Sequence, residues 1–358
     1  MHVNRCCRTF LKILLIVVVA ALVYNLVVRL HAWRVALSNK NQCAPRGQQY
    51  PCVATVDNTL RLDLSNDGET KDTFNVQNAR YLTDLLVRLE QNQQPPVDVK
   101  VQQELKSSDK SKTVVGTLYI VASQVNTGVL VFRGTEHLDA FIADMALEQT
   151  DFTPFRTLTD VLPELNMLLA PLRIWKRHEQ VQIKPNSVLS NQSSAVQQQS
   201  SIRVHRGFFQ HYERIRSTLM SSIHSLGLTR ILVAGHSKGG ALASLAALDI
   251  VLNAPTVQSV EVYTFGSPRV GNQSFVQTLH NAPVLTQFFQ VQNNADIVPS
   301  MPFAVVPNRG NPENPTYYEH AGTPVVYASN WGSFGNNHAL SNYIYALDHQ
   351  SMKLHFLE

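Results

Sequence analysis

Between Phe74 and Glu90, apolar residues recur at steps of three and four along an otherwise polar stretch. They are Tyr81, Leu82, Leu85, Leu86 and Leu89. This spacing places them on one side of a helix, so it predicts an amphipathic helix with one buried stripe. Two β-rich runs follow at Thr113–Val121 and Gly128–Phe132, and Asn126 and Thr127 between them favour a tight turn. The two runs therefore predict a hairpin.

Further along the chain, helical and strand-like patterns alternate. The predicted elements are a helix from Phe208 to about Leu226, a strand over Arg230–Ala234, a helix over Gly239–Leu252, strands over Val260–Phe265 and Gln287–Gln292, and a last helix over Ala339–His349. Such alternation favours an α/β fold with a mostly parallel central sheet and helices on both faces. One domain of this kind accounts for residues 71–358, with residues 155–203 as an insertion.

The N-terminal region has a different pattern, because Ile13–Val28 is apolar except at Tyr24 and Asn25 and is preceded by basic residues. Its length approaches the roughly 20 residues that span a bilayer. We therefore expect a transmembrane signal anchor at 13–30, after a short cytosolic segment at 1–12 and before a stem at 31–70. The catalytic domain is then lumenal or extracellular. The alternative is a signal peptide cleaved near Ala32, which would make the protein secreted.

The four cysteines lie on either side of this apolar segment. Cys6 and Cys7 precede it, where a cytosolic pair is either acylated or left as ordinary thiols. Cys43 and Cys52 follow it, and an oxidising compartment favours a disulfide between them. The formal net charge is only +4 and is spread without a basic block, so no nucleic-acid partner is expected.

The strongest chemical signal is an apolar strand, then residues 235–239 with the pattern Gly-x-Ser-x-Gly, then a helix of small residues. A serine on such a sharp turn holds its hydroxyl clear of the backbone, and the flanking glycines avoid side-chain collisions. The following helix directs N–H groups toward an oxyanion beside the serine. Ser237 is therefore the predicted nucleophile of an α/β-hydrolase.

In an α/β-hydrolase the acid and then the histidine follow the serine along the chain. Asp296 comes directly after an apolar strand, at the strand end where α/β sites are built. His338 precedes the last helix and is the preferred base. His320, at the start of a further strand, is the alternative base, and otherwise a structural histidine.

Taken together, these residues resemble the class 3 (fungal-type) lipases over about Thr113–His349. The resemblance rests on the ordered motifs 131–135 (Val-Phe-Arg-Gly-Thr), 205–208 (His-Arg-Gly-Phe) with Tyr212, 235–240, 265–271 (Phe-Gly-Ser-Pro-Arg-Val-Gly), 296–299 (Asp-Ile-Val-Pro), and 337–338 (Asn-His) with Tyr343. It implies that Asp296 is the acid and that His338 is the base. It also implies that Thr135 and the N–H of Lys238 form the oxyanion hole.

The sequence departs from the family pattern at Lys238, where Leu is usual, and at Phe141, where the lid usually carries Trp. Leu138, Phe141, Ile142 and Met145 share one helical face. This segment is either a lid over an apolar cleft or a core-facing surface helix. The insertion at 155–203 is either a larger lid or an apolar satellite packed on the domain.

The predicted function is a serine ester hydrolase, a lipase, that cleaves acyl esters of glycerolipids through an acyl-enzyme. The expected partner is a lipid ester at a membrane or lipid surface, and no metal or organic cofactor is required. The alternatives are a phospholipase A-type enzyme, a soluble-ester carboxylesterase, or an inactive membrane-anchored binding protein. Asn191 and Asn272 match the glycan acceptor pattern, and only the first is expected to be modified.

Overall fold

The computed structural model describes residues 57, 59–64, 73–107, 113–124, 126–135, 148–152, 201–307 and 315–349, and the backbone of 353–354. The strands are β1 (Val99–Lys106), β2 (Val114–Val121), β3 (Thr127–Phe132), β4 (Gln149–Asp151), β5 (Arg203–His205), β6 (Arg230–His236), β7 (Ser259–Phe265), β8 (Leu285–Asn293), β9 (Val305–Val306), β10 (Thr316–Tyr317), β11 (Thr323–Tyr327) and β12 (Lys353–Leu354). The helices are α1 (Val76–Glu90), α2 (Arg206–Ser225), α3 (Lys238–Asn253), α4 (Gln273–His280), α5 (Phe334–His338) and α6 (Leu340–Asp348), with a 3₁₀ turn at Val298–Ser300.

Eight strands form the central sheet in the order β1-β2-β3-β6-β7-β8-β11-β12. The five strands from β3 to β11 in this order run parallel to their neighbours. The edges are antiparallel, with β1 on β2, β2 on β3, and β12 on β11. The predicted mostly parallel sheet and the predicted β2–β3 hairpin are therefore confirmed.

Side chains of the central strands alternate between two cores, one on each face of the sheet. In β6, Ile231 and Val233 join the core beneath α2, α3 and α4. Leu232 and Ala234 join the core beneath α1 and α6. Successive strand residues point to opposite faces, and a sheet covered on both faces needs apolar residues at every position. This requirement explains the unbroken apolar run that predicts β6.

The helices predicted from periodicity are also present, with shifted ends. The helix expected at 74–90 is α1, which begins at Val76 because Asn75 caps it by accepting a hydrogen bond from the N–H of Asn78. The helices expected at 208–226, 239–252 and 339–349 are α2, α3 and α6. The strand β1 and the helix α4 were not predicted from the sequence.

Part of the predicted stem packs on the domain. Leu64 is buried in the core beneath α1, and Leu60 and Leu62 pack against it. The N–H of Asp63 donates to Asn78 Oδ1 on α1 at 2.8 Å. The folded domain therefore extends toward the N-terminus beyond the predicted boundary at residue 71.

Several predictions concern regions outside the described residues. These are the segments 1–12 and 13–30, the four cysteines, Asn191, and most of the insertion at 155–203. Within the described part of the chain, no helix is both long enough and apolar enough to cross a membrane. The other acceptor motif is described: Asn272 caps α4, and its side-chain amide donates to the carbonyl of Ser201.

Candidate active site

Ser237 stands on the sharp turn between β6 and α3. Its backbone has φ +57° and ψ −129°, a conformation that residues other than glycine rarely adopt. Two hydrogen bonds hold this turn: the N–H of Ser237 donates to the carbonyl of Phe265 on β7, and the N–H of Gly240 donates to the carbonyl of Ser237, both at 2.9 Å. The turn therefore presents the serine at the carboxyl end of the parallel strands.

The glycines around Ser237 are required by close backbone contacts. A Cβ on Gly235 would lie 2.1 Å from the carbonyl oxygen of Gly239. A Cβ on Gly239 would lie 2.2 Å from the carbonyl oxygen of Phe132 on β3. No side chain fits at either distance, so the Gly-x-Ser-x-Gly pattern reflects tight packing of β6, α3 and β3.

Asp296 follows β8 and lies two strands away from the serine turn. Its side chain is fully buried and accepts three hydrogen bonds. The N–H of Val298 donates to Oδ1 at 2.9 Å, and the hydroxyl of Tyr343 donates to Oδ2 at 2.6 Å. The third donor is Nδ1 of His338, which lies 2.6 Å from Oδ2. These contacts fix the carboxylate in one orientation.

His338 ends the short helix α5, and only 4% of the residue is exposed. Because Nδ1 carries the proton that Asp296 accepts, the neutral ring has its lone pair on Nε2. Nε2 is buried, and among the described residues it has no hydrogen-bond partner. Burial lowers the pKa of His338 below 6.5 although Asp296 opposes the shift. At neutral pH the ring is therefore an uncharged base with a free acceptor nitrogen.

The ring of His338 reaches the serine turn through two neighbours. It stacks on the ring of His236, the residue before Ser237, with centroids 4.8 Å apart. On another side, a Cβ on Gly266 would lie 3.1 Å from His338 Cε1, 3.0 Å from Asp296 Oδ2 and 2.8 Å from the hydroxyl oxygen of Tyr343. Gly266 also has φ +57°. A glycine is therefore needed at the point where β7 passes beneath the acid and the base.

Side-chain amides join the loops that carry the acid and the base. Asn293, at the end of β8, donates to the carbonyls of Ser329 and Asn337 at 2.8 and 3.0 Å. Asn337, beside the base, donates to the carbonyl of Ala295, beside the acid, at 3.2 Å. Both amides are buried. Satisfied buried polar groups of this kind fix the geometry of the loops they connect.

The residues predicted for the oxyanion hole lie beside the serine turn. Thr135 follows β3, and a Cβ on the adjacent Gly134 would lie 3.4 Å from Ser237 Cβ. Thr135 Oγ1 is buried, and no hydrogen-bond partner for it lies within the described residues. Lys238 begins α3 and directly follows Ser237. The loop after β3 and the first turn of α3 therefore both adjoin Ser237.

His320, the alternative base, is engaged elsewhere. Its Nε2–H donates to the carbonyl of Pro299 at 2.7 Å, and its Nδ1 accepts from the amide of Gln290. Burial, with a smaller contribution from the charge of Arg269, lowers the pKa of His320 to about 3. Both ring nitrogens are occupied and the ring stays neutral, so the structure favours the structural interpretation of this histidine over the role of base.

The predicted lid residues Leu138, Phe141, Ile142 and Met145 lie outside the described residues. Within the part of the chain that is described, no group of three or more His, Cys, Asp or Glu side chains is placed to hold a metal ion.

Comparison with known proteins identifies the family to which this arrangement belongs. Residues 129–306, from β3 through the serine turn to the loop beyond Asp296, match the family model described as lipase (class 3). This part of the chain belongs to the class 3 lipase family. The topology described above, with a serine turn after a parallel strand and the acid and histidine later in the chain, is that of the α/β-hydrolase fold.

Curated class 3 lipase relatives include enzymes from plants and fungi. Phospholipase A1-II 1 of Oryza sativa subsp. indica is 34% identical over 119 residues, which cover 33% of this chain and 26% of that protein. Triacylglycerol lipase OBL1 of Arabidopsis thaliana is 35% identical over 125 residues, with 33% and 22% coverage. The chain thus spans about a quarter of the length of these relatives. A solved propeptide complex of Rhizomucor miehei lipase is 18% identical, with a TM-score of 0.47 and coverage of 79% and 78%.

Sequence reasoning on this lipase domain missed several residues around the base. Glu90, the last residue of α1, lies 3.8 Å from His236 Nδ1, and the Nε2–H of His236 donates to the backbone carbonyl of His338 at 2.8 Å. Asn293 was also missed. Glu90 carries no local signal, because its approach to the site depends on how α1 packs against the sheet. The histidine at 236 is visible in the Gly-x-Ser-x-Gly segment, but the pattern leaves that position open.

Proposed function

We propose that the chain is a serine ester hydrolase of the lipase type, which cleaves acyl esters of glycerolipids. Ser237 is the nucleophile, His338 the general base and acid, and Asp296 the residue that orients His338. The observation that carries this proposal is the buried pair formed by Asp296 and His338 at 2.6 Å, which leaves Nε2 of His338 without a hydrogen-bond partner among the described residues.

The proposed reaction has two stages. Nε2 of His338 takes the hydroxyl proton while Oγ of Ser237 attacks the ester carbonyl, and Thr135 and the N–H of Lys238 hold the resulting oxyanion. The imidazolium then returns the proton to the departing alkoxide, which leaves as the alcohol, and an acyl-serine remains. A water molecule, deprotonated by His338, then attacks the acyl-serine, and the imidazolium returns the proton to Oγ of Ser237 as the fatty acid leaves.

Replacement of Ser237 tests the proposal directly. We expect Ser237→Ala to lower kcat on a short nitrophenyl ester by roughly 10⁴–10⁶ and to abolish labelling by a fluorophosphonate probe. The control is Ser244→Ala, because Ser244 is also buried on α3 but donates only to the carbonyl of Gly240. Normal hydrolysis by folded Ser237→Ala protein would refute the proposal. Loss of labelling in Ser244→Ala as well would indicate disruption of α3 instead.

The relatives support a glycerolipid substrate but differ in the one they name. One is named as a phospholipase A1 and another as a triacylglycerol lipase. We therefore propose hydrolysis at an acyl ester of glycerol, and a panel of triglycerides, diglycerides and diacylphospholipids tests the head group. Cleavage restricted to water-soluble short esters would support a carboxylesterase and contradict the lipid substrate.

We also propose that residues 13–30 anchor the enzyme in a membrane, with the catalytic domain on the lumenal or extracellular side. The apolar character of this segment supports the proposal. Alkaline carbonate extraction and glycosidase treatment of the full-length protein test it. Release of the protein by carbonate, or a mature N-terminus near Trp33, would contradict the anchor and support secretion.

A further inference from the structure

We infer that His236 is a positioning residue for the base, and that Glu90 connects it to the loop that carries Thr135. This inference rests on the proposed function and adds to it a second histidine that holds the backbone of His338. The structural feature is a chain of contacts that runs from the end of α1, through the ring of His236, to the carbonyl of His338.

The orientation of the His236 ring follows from its contact with His338. A backbone carbonyl only accepts hydrogen bonds, so the contact of 2.8 Å requires a proton on His236 Nε2. Only 6% of the His236 residue is exposed, and its ring stacks on the imidazole of His338 at an interplanar angle of 29°. His236 therefore contacts the base twice, through a hydrogen bond to its carbonyl and through the face of its ring.

The opposite edge of the His236 ring faces Glu90. Nδ1 makes no hydrogen bond to any described residue and lies 3.8 Å from Glu90 Oε1. Burial would raise the pKa of Glu90, but His236, the N–H of Gly134 and the charge of Arg133 together hold that pKa below its usual range. Glu90 is therefore an anionic group that borders the ring of His236 and lies near the N–H of Gly134.

Gly134 completes the connection to the oxyanion side. A Cβ on Gly134 would lie 3.0 Å from His236 Nδ1, so the loop after β3 packs directly on the edge of the ring. Thr135 is the next residue. The ring of His236 thus lies between the loop that carries Thr135 and the helix α5 that carries the base.

This placement has a consequence for catalysis. His338 ends α5, a helix of only five residues, and its ring is aimed by Asp296 and its backbone by His236. Because His236 is covalently joined to Ser237, its hydrogen bond ties the His338 backbone directly to the nucleophile turn, whereas the amides of Asn293 and Asn337 tie it to the loop of the acid. A misplacement of about 1 Å costs roughly 10²-fold in rate, so loss of this bond should act on kcat.

Two substitutions of similar size separate the hydrogen bond from simple packing. His236→Gln places an amide N–H where the ring has Nε2–H, whereas His236→Met fills similar space without a donor. We expect His236→Met to lower kcat on a soluble nitrophenyl ester by about 10- to 100-fold with KM changed less than about twofold. We expect His236→Gln to restore kcat to within about threefold of the parent enzyme. Rates of fluorophosphonate labelling should follow the same order.

Substitutions at Glu90 test the second part of the inference. Glu90→Gln keeps a polar side chain of the same size beside His236 and the N–H of Gly134, and Glu90→Leu does not. We expect kcat to fall about tenfold in Glu90→Leu and to change little in Glu90→Gln, since one misaligned oxyanion donor costs up to about 10²–10³. Because Glu90 is at the end of a helix, this pair reports on the connection even where His236→Met does not fold.

Distinct outcomes separate the inference from the function on which it rests. If the parent enzyme neither hydrolyses esters nor takes up the fluorophosphonate probe, the proposed function fails. If the parent enzyme is active and folded His236→Met keeps its kcat, or Gln and Met lower kcat equally, the positioning role of His236 is overturned. Equal kcat in Glu90→Leu and the parent enzyme overturns the role of Glu90.

Discussion

The hydroxyl of Tyr343 offers the sharpest test of how Asp296 controls the base. It donates to Asp296 Oδ2 at 2.6 Å, and this is the same oxygen that accepts from His338. The ring of Tyr343 packs edge-on against Phe265 and Tyr327 and is fully buried. Tyr343→Phe keeps this packing. The substitution therefore removes one charge-assisted hydrogen bond from the acid, together with a longer bond of 3.4 Å that the hydroxyl accepts from the N–H of Asn293.

The size of the effect follows from burial. A hydrogen bond to a charged group contributes about 1.5–3 kcal/mol, and the acid, the base and the tyrosine are all too buried for water to replace the lost donor. A carboxylate with one donor fewer holds the imidazolium more strongly, so the pKa of His338 rises. If about half of the lost interaction reaches His338, the rise is about 0.5–1 unit, since one unit corresponds to about 1.4 kcal/mol.

The assay is the pH dependence of kcat/KM on a soluble nitrophenyl ester. Only neutral His338 acts as a base, so the acid limb of the profile reports its pKa. We expect Tyr343→Phe to move this limb to a pH higher by about 0.5–1 unit and to lower the plateau value of kcat/KM by less than about tenfold. The control is Tyr345→Phe on the same helix, because the ring of Tyr345 packs on Trp331 and His349.

An unchanged acid limb in folded Tyr343→Phe protein would refute this reasoning. The hydroxyl would then contribute to stability alone, with no electrostatic effect on the base. An equal shift in Tyr345→Phe would also refute it, since that hydroxyl does not contact Asp296.

The remaining predictions concern packing, acid stability and the lid. Gly266→Ala should lower kcat by about 10²-fold or more, because its Cβ would push apart the acid and the base, whereas Gly335→Ala, which has open space, should not. The pKa of His320 is depressed in the folded state, so the unfolded chain binds more protons below pH 6.5. The free energy of unfolding therefore falls as the pH drops from 6.5 toward about 3. Urea denaturation of His320→Gln should show a weaker pH dependence across this window. Leu138→Ser combined with Phe141→Ser should lower activity on emulsified lipid and spare a soluble ester, and equal losses on both would contradict a lid.

Sequence patterns predicted the parts of the fold that are apolar on a regular period. The strand β6 is covered on both faces, so its apolar run was visible. The helix α1 was visible from its apolar stripe, but the prediction of a single buried stripe was wrong, because every residue from Asn78 to Leu89 is buried. The strand β1 was missed because it lies at the sheet edge and most of its side chains are exposed. An edge strand with sequence Val-Lys-Val-Gln-Gln-Glu-Leu-Lys has too little apolar character to be recognised by pattern alone.

The residues of the candidate site also fall into those that the sequence predicts and those that it does not. Ser237 was predictable because the turn that exposes it requires glycines at fixed positions beside it. Asp296 was predicted from its place after an apolar strand, and His338 was preferred to His320 for its place before the last helix and from the family resemblance. The structure brings the two together at 2.6 Å. Glu90 was not, because it approaches the site only after α1 has packed on the sheet.

This difference has a physical cause that extends beyond the present chain. Groups that react must satisfy local rules of turn geometry and strand position, and those rules require particular residue types within a few positions of the reacting group. Groups that position the reacting ones need only a distance and a hydrogen bond, and packing can supply these from any element. His236 lies between the two cases: its place in the serine turn is local, but its contact with His338 depends on where α5 packs. Residues of this intermediate kind are therefore the ones for which a structure adds most to a motif.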